Sequence, residues 1–73
     1  MHLLYLRPYT GEADIVRELL PADITLSVAT DVEELSSEAR AEVTAISVFV
    51  DFEITAEILE QFPNLTFIAT RSA

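Results

Sequence analysis

The sequence predicts an α/β fold built on one parallel sheet of about four strands, and three observations carry that prediction. Short apolar runs rich in β-branched and aromatic residues recur at positions 2–6, 24–29, 45–50 and 66–70, with segments of helical spacing between them. The 51–65 segment that joins the last two runs is about fifteen residues long, enough for a helical crossover and too long for a hairpin. Strands joined in that way are parallel and their connection is right-handed. The third observation is length: 73 residues make one domain at most. The alternation therefore reads as a flavodoxin-like three-layer sandwich with strand order 2-1-3-4.

The first run, HLLYL, is continuously apolar, as suits a strand buried on both faces. Arg7-Pro8 ends it, because Pro8 has no N–H for a ladder and restricts the residue before it. Thr10-Gly11 supplies the turn into a helix whose apolar side is Ala13, Val16, Leu19 and Leu20, with Glu12, Asp14 and Glu18 opposite. Glu12 and Asp14 fall in the first turn, where the helix dipole favours negative charge, and Pro21 stops the helix. In the second run Ile24, Leu26 and Val28 alternate with Thr25 and Ser27, which suggests one covered face at a sheet edge. Positions 30–35 are acidic and read as a loop or a single turn. Ser36 or Ser37 caps a short helix through Glu42 with Leu35, Ala39 and Val43 on its apolar side. After the third run, Thr55 caps a further helix, Ile54 is placed to pack on Leu59 as a staple, and Glu57 sits in the positive first turn. Ile58, Leu59 and Phe62 form its expected buried stripe, and Pro63-Asn64 leads into the last strand.

Composition narrows the function. Thirteen acidic residues stand against four arginines and no lysine, a formal net charge of −9 that repels phosphate backbones and anionic lipid. Nucleic-acid and membrane partners are therefore not expected. A mean hydropathy of +0.35 argues against disorder and for apolar surface that something covers. Absence of cysteine removes disulfides, a thiol nucleophile and any cysteine metal site. The apolar start is cut off by Arg7-Pro8 and carries no basic leader, so a cytoplasmic location is expected. One glycine means no glycine-rich nucleotide or phosphate loop.

Ligands of open parallel sheets bind beyond the carboxyl ends of the strands. Arg71, just past the last run, is placed there to attract a carboxylate, and the N–H groups of Ser72 and Ala73 to bind one. Phe49 lies on the same rim. Asp51 and Glu53 follow the third run; a phosphoryl-accepting Asp51 would need an acidic pair after the first strand, where this chain has Arg7-Pro8, so both read as solvated loop carboxylates. His2 starts a strand at the opposite end of the sheet and reads as structural, Tyr5 and Tyr9 as packing residues.

FPNLTFIATRSA, preceded by a strand bearing Phe49 and a helix beginning at Thr55, resembles the first domain of the D-isomer-specific 2-hydroxyacid dehydrogenases, the D-lactate dehydrogenase branch in particular. In that family a Pro-Asn-Leu-x-x-Ile strand runs into Arg-Ser/Asn-x and then Gly. The likeness covers 45–73 well and 1–44 only by pattern. It implies an NAD-dependent oxidoreductase moving a hydride between the nicotinamide and a 2-keto or 2-hydroxy acid. Phe49, Arg71, Ser72 and Ala73 would form one wall of the substrate pocket, with amides of the turn after the last strand holding the substrate carboxylate. Phe49 stands where the family often has Tyr, so a hydroxyl contact is missing. The family's catalytic Arg, Glu/Asp and His and its Rossmann glycines lie in a second domain that no segment here matches. The expectation is thus a partial, truncated substrate domain with no catalytic residue, inactive alone, whose NAD is bound elsewhere. The alternative is a free-standing α/β interaction module that forms a homo-oligomer through the exposed side of its last strand.

Overall fold

The computed structural model describes residues 1–49 and 51–71. In order, the elements are β1 (His2–Leu6), α1 (Glu12–Leu19), β2 (Thr25–Ala29), a 3-10 turn (Val32–Glu34), α2 (Ser37–Glu42), β3 (Ala45–Phe49), α3 (Ala56–Glu60) and β4 (Phe67–Arg71). The four strands form one sheet in the order β2-β1-β3-β4, and every neighbouring pair is parallel. The expected α/β architecture and strand order are both present.

Register defines two faces. Leu4 pairs with Ile46 and Ser27, Leu6 with Ala29, and Ile46 with Ile68, so even-numbered residues of β1, β3 and β4 share one face. Tyr5 pairs with Ser47, Ser47 with Ala69, and Phe49 with Arg71, which defines the odd face. The step from β1 to β2 runs one way across the sheet and the step from β3 to β4 the other. Right-handed crossovers then place α1 on the odd face and α2 and α3 on the even face.

The core is on the even face. Leu4, Leu6, Val43 and Ile46 are fully buried and pack with Ala29, Val32, Val48 and Phe62; Leu35, Phe52, Ile54, Ile58 and Leu65 close over them. The loops that seal this face are well capped. Ser36 Oγ accepts the N–H of Ala39 and Thr55 Oγ1 that of Ile58, each cap contributing about 1 kcal/mol. Asp31 and Glu34 form a reciprocal capping box around the 3-10 turn, a device the acidic 30–35 stretch did not suggest.

Several expectations need correction. Leu19 was placed on the buried side of α1 but is 78% exposed, and α1 buries no residue fully. Leu59, assigned to a buried stripe and to a staple with Ile54, is also exposed. Its helix spans only 56–60, and a single short turn cannot bury three positions at once. β2 does not alternate cleanly: Leu26, Ser27 and Val28 are all half-buried, as at a sheet edge with partial cover on both faces. β4 starts and ends one residue later than its pattern indicated, so Arg71 is the last strand residue rather than the first loop residue.

Candidate functional site

The carboxyl ends of β1, β3 and β4 meet on the odd face, and there the side chains of Arg71, Phe49, Ser47 and Tyr5 are brought together. Parallel pairing sets Phe49 directly beside Arg71, with Ser47 and Ala69 one row behind and Tyr5 beside Ser47. Of the four residues expected to line a pocket, Phe49 and Arg71 are thus adjacent. Ser72 and Ala73 lie outside the described residues.

Arg71 does not project past its strand. Its side chain folds back over the sheet, where Nη1 donates to Ser47 Oγ at 3.0 Å and Nη2 donates to the Leu6 carbonyl at 2.6 Å and to the Arg7 carbonyl at 3.4 Å. The guanidinium carbon lies 4.0 Å from the centre of the Tyr5 ring, a cation–π stack. One residue of β4 therefore binds the exits of β1 and β3. This explains why Ser47, the one buried polar side chain among the described residues, is tolerated: its hydroxyl has a charged donor.

Phe49 is half-buried and meets Tyr9 edge to face, ring centres 5.7 Å apart at 80°. Tyr9 belongs to the turn into α1. That turn is shaped by Gly11, whose φ of 82° is the left-handed conformation a glycine adopts without strain. The Tyr9 N–H donates to Glu12 Oε1 at 2.9 Å. This bond holds the Glu12 carboxyl below the usual carboxylate range against an opposing desolvation, with lesser help from the Tyr5 hydroxyl and Arg71. Burial, and next the nearby Glu12, push the Tyr5 phenol up, partly offset by Arg71.

The rim also holds a residue whose side chain the sequence did not single out. Arg7, read only as the end of the first strand, has a φ of 51°, the one left-handed non-glycine residue among those described. Its Nε donates to the Thr30 carbonyl at 3.1 Å and its guanidinium carbon lies 4.7 Å from the centre of the Phe52 ring. The available signal was an arginine at a strand exit in a chain of 13 acids. Asp51 and Glu53 are exposed, as expected of loop carboxylates. His2, at the far end of the sheet, has Nε2 2.6 Å from Ser27 Oγ, while its N–H donates to Thr44 Oγ1.

No protein family, no characterised protein and no solved structure matches this chain in sequence or fold comparison. Among the described residues the rim has no enclosed pocket; its surface carries the Tyr9, Phe49 and Phe52 rings and the Arg7 and Arg71 guanidinium groups, with the Glu12 carboxylate close to Arg71. The single glycine caps α1, and no glycine-rich loop follows a strand. No described helix is long and apolar enough to cross a membrane.

Proposed function

We propose that this chain is part of the substrate domain of an NAD-dependent oxidoreductase acting on D-2-hydroxy acids, and that its carboxyl rim forms one wall of the 2-keto acid pocket. The observation that carries the reading is the β3–β4 register, which sets Phe49 beside Arg71 at the end of a parallel sheet where ligands of such sheets bind. A 2-keto acid is a flat carboxylate conjugated to a carbonyl. In a chain of net charge −9, the Arg7 and Arg71 guanidinium groups give this rim a local positive charge that can draw such an anion. The role of Arg71 is then to hold the exits of β1, β3 and β4 in register and supply positive potential, while the Phe49 ring, braced by Tyr9, shields the site from water. Substrate carboxylate binding falls to the amides of Ser72 and Ala73. No residue of this chain transfers the hydride or its proton, and the nicotinamide belongs to another domain.

Titration of the chain with pyruvate, followed by amide NMR shifts, tests this. Saturable shifts centred on Phe49 and Arg71, lost in R71M while the spectrum stays folded, support it. Absence of any shift at millimolar pyruvate would sink it.

A second reading is favoured by β4 itself. Phe67 is 61% exposed and Ile68 40% exposed, on opposite faces of an edge strand with no charge before Arg71. Such an edge pairs readily with another strand, so we propose self-association through β4 as the alternative function. Sedimentation velocity decides it: a concentration-dependent dimer that I68K turns into a monomer supports this reading, and a monomer at all concentrations removes it.

A further inference from the structure

We infer that Arg7 is a second anion-binding group of this rim and that it selects 2-keto acids carrying a further carboxylate. The inference rests on the reading that the rim receives a 2-keto acid, and it adds the substrate class. Three observations on Arg7 carry it.

The backbone is held in an unfavourable conformation from both sides. At φ 51° an arginine is strained, yet its N–H donates to the Ala29 carbonyl at 2.8 Å and its own carbonyl accepts from Arg71 Nη2. Strain that surrounding structure maintains at a ligand-binding rim is a mark of function. The side chain, although exposed, is seated rather than free: Nε is pinned on the Thr30 carbonyl and the guanidinium plane is stacked on Phe52. That seat draws on the segments after β1, β2 and β3 and leaves the end of the guanidinium that bears Nη1 and Nη2 without a protein acceptor among the described residues. An end-on fork of that kind accepts a carboxylate through two parallel N–H donors.

The third observation is charge. Among the described residues the one ion pair is Arg17 with Asp14, so the Arg7 guanidinium forms none in a chain that has 13 acids, whereas Arg71 lies near enough to Glu12 to lower its carboxyl. Both act on the same peptide exit: Arg71 donates to the carbonyls of Leu6 and Arg7, and Arg7 leaves that exit toward Phe52. Two cations flanking one strand end match a ligand with two anionic groups better than one with a single carboxylate.

Calorimetric titration of the chain with pyruvate and with 2-oxoglutarate tests the assignment. The expected result is at least tenfold tighter binding of 2-oxoglutarate, a preference that R7Q abolishes while leaving pyruvate affinity within about twofold. R7G serves as the second variant, since glycine adopts the positive φ without strain and removes only the guanidinium. Equal affinity for the two acids, or a preference that survives in R7G, overturns the inference and leaves the dehydrogenase reading standing. Binding of neither acid overturns both.

Discussion

The two faces of this sheet are made from the same four strands and are buried in different ways. On the even face Leu4, Leu6 and Ile46 are fully excluded from water beneath the segments around α2 and α3. On the odd face α1 lies alone, with Ile15 59% and Leu19 78% exposed, and across from it Phe67 is equally open. The difference follows from strand order. A 2-1-3-4 sheet with right-handed crossovers sends two helices to one side and one to the other, whatever the hydrophobicity of the residues there. At the carboxyl rim polar chemistry closes the odd face, with Arg71 laid across Tyr5 and Ser47. The even face thus holds most of the buried core, and the odd face leaves more apolar surface open to solvent.

The largest expected effect sets one face against the other. Ile46→Ala removes a fully buried side chain and should cost about 2–5 kcal/mol in denaturant unfolding, whereas Ile15→Ala on the open flank of α1 should cost no more than about 0.5 kcal/mol. Equal losses would show that the odd face is packed in solution and would break the distinction. Next in size, R71M removes a charged donor from Ser47 and from two carbonyls and should cost about 1.5–3 kcal/mol, because a buried hydroxyl loses its partner. The double variant R71M/S47A sharpens this: if the penalty is the orphaned hydroxyl, removing it restores part of the loss, as a double-mutant cycle would record.

How far this division was legible in the sequence depends on the kind of signal. Strand runs and caps are local, so the strands, the Thr55 cap and a serine cap at 36 or 37 were legible from spacing and side-chain chemistry, and the strand order followed from the α/β alternation. The exposure of Leu19 and Leu59 was not legible, because periodicity tells which side of a helix is apolar and not whether a second layer exists to cover it. At the rim, the sequence placed Phe49 and Arg71 at the same end of the sheet, but their direct pairing depends on a β4 that runs one residue later than its pattern indicated. The inward fold of Arg71 was not legible, since its acceptors are carbonyls of residues 6 and 7, more than sixty positions away. Arg7 escaped notice for a related reason: a positive φ in a non-glycine residue leaves no trace in composition or pattern.

The smallest effect concerns Glu12, which joins α1 to the rim. Its carboxyl is held below the usual range first by the Tyr9 N–H and then by the Tyr5 hydroxyl and Arg71. A folded-state value below the unfolded one means the stabilisation is fully present above the unfolded value, about pH 4.3, and is lost as pH falls through the folded value. Glu12 is only half-buried, so screening keeps the contribution small and salt-sensitive. E12Q should therefore unfold slightly earlier than the parent at pH 7, and the difference should shrink as pH falls and Glu12 becomes protonated in the folded chain. Because Glu12 lies near Tyr5 and Arg71 on the odd face, the same variant should move the amide shifts of Tyr5 and Arg71 and leave those of Leu4 and Ile46 in place. Shifts spread evenly over both faces would mean that α1 and the rim are not a separate unit and that the sheet responds as one body.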